Sequence, residues 1–265
     1  MAIKRVLNSL YSATLDGVVA KVIEVEATFT KGLPAFTLVG LASSDIQESR
    51  ERVRASLVTN GFIFPPLKIT INLSPSDIKK SGTHFDLPIA LLIALNKFEI
   101  EDNNTFIFGE LGLDGRVKSS SMIFPIILSL KEQSLIKRAI VPKEAIDALS
   151  HIPDIEFLAV ESLAEAIDVV SGATQATPIK SSSRDIGETI TVDEVSYFFQ
   201  RDYPEDFRDV KGQEVAKRAS LIASAGMHNL LMEGSPGCGK SMIAKRIKYI
   251  LPPLSQEEIL SIAKH

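Results

Sequence analysis

Gly234-Ser235-Pro236-Gly237-Cys238-Gly239-Lys240-Ser241 completes the pattern G-x-x-x-x-G-K-[ST] late in a chain of 265 residues. The spacing suits a loop that wraps phosphate. Glycines admit backbone conformations that a Cβ forbids, so successive N–H groups can turn inward on an anion. Lys240 can reach the β- and γ-phosphates as a point charge, and the Ser241 hydroxyl can ligate Mg²⁺. On the N-terminal side, Asn229-Leu230-Leu231-Met232-Glu233 is a short apolar run that predicts a buried strand. On the other side a helix is expected from about Gly239 through Ile247, its positive end facing the anion. The stretch therefore predicts the strand–loop–helix opening of an α/β nucleotide-binding domain, with ATP and Mg²⁺ as cofactors.

Composition sets outer bounds. With 45% hydrophobic and 23% charged residues, the chain reads as globular, with room for two domains. The single cysteine, Cys238, excludes an intramolecular disulfide and a cysteine metal cluster. No run of 18 apolar residues occurs, and Met1-Ala2-Ile3-Lys4-Arg5-Val6 lacks the apolar stretch of a secretory signal. A cytoplasmic location without membrane contact is the expectation. A net charge of −4 gives no sign of a generally basic nucleic-acid binder.

Working back toward the N-terminus, strand-like and helix-like segments alternate over residues 1–171, which predicts an α+β domain. Strands are expected over 18–30, 35–39 and 68–73. Ser44 with Gln47 reads as a capping box for a helix through about Val58, closed by Asn60-Gly61. Ile46, Val53 and Leu57 form its apolar stripe. Leu87 to Leu95 predicts a buried helix, and further helices are expected over 122–135 and 163–170. Phe106-Ile107-Phe108 and Arg116-Val117, flanking Leu113-Asp114-Gly115, predict a hairpin, and 138–141 an extended segment. Small polar residues over 172–203 read as a surface linker. A second domain then occupies 204–265, with a helix over 214–225 before the phosphate loop.

Three other groupings carry possible chemistry. Arg50, Arg52 and Arg54 with Lys79 and Lys80 could face DNA phosphates, although Glu48, Glu51 and Asp77 favour a solvated, ion-paired helix face. His84 and Asp86 are two metal-ligand types without a third, which favours a structural role. Cys238 at a helix N-terminus could be oxidation-sensitive, but reads more simply as a small residue in a variable loop position.

Several long segments also resemble one family. Phe207 to Ala219 (FRDVKGQEVAKRA), His228 to Met232 with the loop, and Ile250 to Leu254 are similar to the start of the AAA+ module of magnesium-chelatase-like proteins of the ComM/YifB family. Lys31 to Leu41, Glu48 to Arg54, Asn72 to Pro75, Phe85 to Ala90 and Gly109 to Arg116 are similar to the N-terminal half of that family. The resemblance implies a Lon-protease-like N-terminal domain, of the fold of ribosomal protein S5 domain 2, over 1–171. It implies that Val210 and Gly212 pack against adenine. It also implies a hexameric ATPase that migrates DNA branches during recombination of incoming DNA. An acidic Walker B strand, a sensor residue and an arginine finger would lie beyond His265. The chain is thus expected to carry only the opening part of the ATPase domain, over 204–265, and to hydrolyse little by itself.

Three rival readings stand beside this one. Lon-type peptidases place a nucleophilic serine where this chain has His84, and a lysine near Phe124. Lys118 and Lys131 are out of register and Ser81 is a loop hydroxyl, so no serine–lysine dyad is expected. A magnesium-chelatase subunit, or a non-catalytic platform for DNA or a partner, are the alternatives.

Overall fold

Alternation of apolar and polar side chains brings two segments together as neighbouring strands. Val25 and Ala27 pair with Leu73 and Ile71 in antiparallel register, all buried on one face, while Glu24, Glu26 and Asn72 point to the other. This pair sits inside the main sheet. The protein is described from a computed structural model over residues 4–6, 9–96, 98–101, 104–174, 177–180, 188–199 and 203–263. It divides into two compact units, Met1–Arg184 with Ala263–His265, and Asp185–Ile262.

The first unit runs β1 (Lys4–Val6), β2 (Ser9–Asp16), β3 (Val19–Thr30), β4 (Ala35–Val39), α1 (Ser44–Thr59), β5 (Lys68–Ser74) and α2 (Asp86–Ala94). It continues with β6 (Glu99–Glu101), β7 (Phe106–Ile107), β8 (Glu110–Leu111), β9 (Val117–Lys118), α3 (Ile123–Glu132) and β10 (Arg138–Pro142). Then come α4 (Ile146–Leu149), β11 (Glu156–Val160), α5 (Leu163–Ser171) and β12 (Ile179–Lys180). Eight strands form one mixed sheet in the order β12-β11-β10-β7-β2-β3-β5-β4. Pairing is parallel from β11 through β10 and β7 to β2, and again between β5 and β4; the remaining neighbours are antiparallel. The α/β character is therefore mixed.

The helix α2 is apolar all round because it is enclosed on every side. It packs on α1, α5, β2 and β3, and residues 86–93 are buried. Helix α1 shows the complementary pattern: Ile46, Val53 and Leu57 are buried while Arg50, Glu51 and Arg54 are exposed. Helix α3 covers the opposite face at β2 and β3. Its Ser129 hydroxyl accepts from the Ala20 N–H at 2.9 Å.

Local details differ from the sequence expectations. The capping box at Ser44 does not form: Ser43 is the N-cap without a side-chain bond, and the Ser44 hydroxyl turns to Asp45. The expected 106–108/116–117 hairpin is instead β8 with β9, Leu111 opposite Val117, and β7 is a parallel strand of the main sheet. Two buried strands so close in sequence can pair locally or separately, and β7 gains more by joining β2 and β10 in the core. The helix expected over 122–135 is shorter, ending at Glu132.

The second unit contains β13 (Glu188–Val192), β14 (Val195–Phe199), α6 (Glu214–Ala225), α7 (Lys240–Ile247), β15 (Leu254–Ser255) and α8 (Gln256–Ala263). The stretch 172–203, read as linker, thus holds β12, β13 and β14. Asp193 and Glu194 both take positive φ, 49° and 67°, which is the geometry of a tight hairpin turn whose twist suits its strands. Asn229–Glu233 corrects the expectation of a buried strand. It joins no ladder among the described residues, and Leu231 is 92% exposed. Apolar content alone does not make a strand; its N–H and C=O groups need partners, and the sheet of this unit is built from β13, β14 and β15.

Candidate functional site

The phosphate-loop sequence forms a turn that leads directly into α7. Gly237 and Gly239 take φ of 81° and 92°, a region that disfavours any residue with a Cβ. Open space surrounds both, so conformation and not crowding calls for glycine there. Gly239 is the N-cap of α7, with no side-chain cap and no acidic residue in the first turn. The first-turn amides of α7 therefore face outward without an internal anion, as a phosphate site needs. The Lys240 ammonium donates to the Gly234 and Ser235 carbonyls at 2.7 and 2.8 Å and lies 3.5 Å from Cys238 Sγ. It is thus held by main-chain oxygens of the loop itself. Ser241 follows on the exposed side of the helix start.

The segment preceding α6 supports the loop. Val210 is 4% exposed and Gly212 takes φ 67°. Gln213 donates from Nε2 to the Cys238 carbonyl at 3.2 Å, which ties this segment to the phosphate loop. Arg246 on α7 reaches the Asp206 carbonyl at 3.0 Å and the Glu205 and Asp209 carboxylates at 3.6 and 3.7 Å. Sequence reading missed both Gln213 and Arg246. The signal for Arg246 was present, since a cation on the loop helix has an acidic segment, Glu205-Asp206-Asp209, upstream. No spacing rule identified the contact.

The other candidate groupings separate in three dimensions. Arg52 and Lys80 leave the basic patch. Arg52 grips the buried Asp86 through Nε–Oδ2 at 2.6 Å and Nη2–Oδ1 at 3.0 Å, while Lys80 is fully buried and donates to the Pro75 carbonyl. Burial pushes the Lys80 pKa down. Arg50, Arg54 and Lys79 stay exposed. Asp86 also accepts from the Ser49 hydroxyl and from the Leu111 N–H at 3.2 Å. Burial pushes its carboxyl pKa up, against the opposing pull of Arg52 and Ser49. Asp86 in turn raises the pKa of Arg52, so the cation is held beside it.

His84 lies in a separate apolar nest with Phe85 and Phe108. It is fully buried, and Nε2 is 2.9 Å from the Ala13 carbonyl, so Nε2 carries the proton and donates. Nδ1 has no partner. Burial lowers the His84 pKa to about 4. His84 and Asp86 serve different networks, and among the described residues no group of three metal-ligating side chains forms. Phe124 is half-buried, Lys118 is exposed, and Lys131 pairs with Asp154 at 2.9 Å. No helix among the described residues is long and apolar enough to cross a membrane.

Comparison with known proteins gives this geometry a family. The model of "Subunit ChlI of Mg-chelatase" matches residues 25–145, and that of "Magnesium chelatase, subunit ChlI" matches residues 206–265. The chain is 33% identical over 260 residues to competence protein ComM of Haemophilus influenzae, covering 97% of this chain and 49% of that protein. It is 34% identical over 262 residues to YifB of Escherichia coli, covering 97% of this chain and 48% of that protein. A lower similarity, 29% over 174 residues, relates 59% of the chain to 31% of Lon protease 2 of Bacillus subtilis. The chain spans about half the length of the first two relatives. Two family models, one over residues 25–145 and one over residues 206–265, and identity along nearly the whole chain lead to one conclusion: this chain belongs to the ComM/YifB family of magnesium-chelatase-like proteins.

Proposed function

We propose that the chain binds ATP with Mg²⁺ as part of a ComM/YifB-type ATPase. The observation that carries this reading is the Lys240 ammonium held over the loop carbonyls at the uncapped start of α7. Lys240 exchanges those carbonyls for phosphate oxygens, and the loop amides orient the triphosphate. Ser241 is the ligand this chain offers to Mg²⁺, whose charge offsets that of the β- and γ-phosphates. Val210 and Gly212 flank the base, and Gln213 fixes their distance from the loop through Cys238. Gly234, Ser235, Pro236, Gly237, Cys238 and Gly239 complete the phosphate cradle.

In the full-length form the reading extends to a hexameric, cytoplasmic helicase that migrates DNA branches; the ComM name of a relative and the AAA+ type of the family support it. Residues 1–171 are assigned to a Lon-protease-like domain without peptidase chemistry, since His84 is buried with its proton engaged and Phe124 offers no base. The alternative is a chelatase-type subunit or a non-catalytic platform.

Titration of a fluorescent ATP analogue into the 265-residue chain tests the nucleotide site. Binding is expected to require Mg²⁺ and to weaken by about tenfold or more in Lys240→Ala, the scale of one lost charge-assisted contact. Equal affinity of the two proteins would falsify the assignment. In a chain of the relatives' full length, the same substitution is expected to abolish ATP-driven migration of a four-way DNA junction.

A further inference from the structure

Arg246 joins the two segments assigned to the nucleotide. One is α7, which the phosphate loop opens; the other is segment 205–213, which carries Val210 and Gly212. Within that segment a single 3₁₀ turn, Phe207–Asp209, is capped from both directions. The Asp206 carboxylate accepts from the Arg208 amide at 2.9 Å, and the Asp209 carboxylate accepts from the Asp206 amide at 3.0 Å. A turn closed in this way can be placed as one piece by a single anchor.

Arg246 supplies that anchor. Its Nη1 donates to the Met242 carbonyl of its own helix at 3.1 Å, which fixes the guanidinium on α7. From there Nε donates to the Asp206 carbonyl at 3.0 Å, while Nη1 and Nη2 stand 3.6 and 3.7 Å from the Glu205 and Asp209 carboxylates. The side chain is 11% exposed, and its shortest bond to the segment goes to main chain. It thus holds backbone in place, where an exposed ion pair would hold only another side chain. Val210 directly follows the anchored turn and is 4% exposed. At the far end of the segment, Gln213 reaches the Cys238 carbonyl of the phosphate loop. Two ties, Arg246 before and Gln213 after, bracket Val210 and Gly212.

We propose that Arg246 is a positioning residue of the nucleotide site, setting the distance between the segment that flanks the base and the loop that holds the phosphates. The inference rests on the nucleotide reading above and adds a division of labour to it. Lys240 and the loop amides act on the phosphates. Arg246 acts through the Asp206 backbone, so its loss costs the preorganisation of the base-flanking segment and spares the phosphate cradle. A residue that only held the unit together would weaken both parts of the ligand alike.

Isothermal titration calorimetry of the 265-residue chain tests this with two ligands, ATP and inorganic tripolyphosphate, each with Mg²⁺. The wild-type chain is expected to bind ATP at least about tenfold tighter than tripolyphosphate, the difference being the share of the nucleoside. Arg246→Ala is expected to weaken ATP by about tenfold and to leave tripolyphosphate within about twofold. Arg246→Lys, which keeps the charge and loses the planar fork, should weaken ATP by an intermediate factor. Lys240→Ala should instead weaken both ligands. Unchanged ATP affinity in Arg246→Ala, or equal weakening of the two ligands with unaltered circular dichroism, overturns the proposal. Should Arg246→Ala disturb the fold, Arg246→Lys decides by the same criterion, and the absence of a selective loss of ATP overturns the proposal. Equal binding of ATP and tripolyphosphate by the wild-type chain also overturns it, while leaving the phosphate site in place. A wild-type chain that binds neither ligand overturns the nucleotide reading itself and this inference with it.

Discussion

His84 shows how far one buried side chain can couple folding to pH. Its Nε2–H donates to Ala13, and a proton added at Nδ1 would find no acceptor in an apolar nest. The folded pKa is lowered to about 4, whereas an unfolded histidine titrates near 6.5. Between those values the unfolded chain binds more protons, so this contribution is complete above about pH 6.5 and is lost as pH falls toward 4. The full shift corresponds to about 3 kcal/mol. Urea unfolding of the first unit at pH 7.5 and pH 4.5 should show that loss, and His84→Gln, which keeps a donor for Ala13, should lose clearly less on acidification. Identical pH slopes in the two proteins would remove His84 as the cause.

At the scale of elements, Asp86 at the start of α2 clasps α1 through Arg52 and Ser49, and holds β8 through the Leu111 amide. One carboxylate thereby joins three elements. Removing Arg52 leaves the buried Asp86 carboxylate without its cation, and removing Asp86 leaves Arg52 with Glu48 at 3.8 Å, so losing one member costs more than replacing both. Asp86→Ala is expected to destabilise the first unit by about 3–5 kcal/mol, and Asp86→Leu combined with Arg52→Met by substantially less. Chemical denaturation of the two variants checks the order; a cost below about 1 kcal/mol for Asp86→Ala would show that the clasp is dispensable.

Across the whole molecule, burial is unevenly shared. The first unit encloses a continuous core spanning α1, α2, α5 and the sheet. In the second, Val210, Ser220, Ser224 and Ile243 are the buried side chains among the described residues. We place the domain boundary within 172–203, close to the division between Arg184 and Asp185. Limited trypsin treatment is expected to cut first at Lys180 or Arg184 and to leave a resistant N-terminal fragment while the second unit is digested. Early cleavage within 1–171 would argue against an independently folding first domain.

Periodicity and turn chemistry determined much of this protein before any contact was known. Val19–Thr30, Lys68–Ser74, α1, α2, α5 and α6 were legible because each signal is local: alternation, a stripe at helical spacing, or an unbroken apolar run. The phosphate loop was legible for the same reason, since eight consecutive residues carry its pattern. What only the tertiary structure decided depends on partners distant in sequence. Whether Phe106 pairs with Val117 or with β2 and β10, whether Asn229–Glu233 finds a ladder, and whether Arg52 faces solvent or Asp86 are choices between competing long-range contacts. The hairpin of β13 and β14 lay concealed in a polar stretch because its turn rests on positive φ at Asp193 and Glu194, and neither residue is the glycine that would have announced it. Gln213 and Arg246 entered the site in the same way, through contacts 25 and 40 residues away that no local spacing encodes.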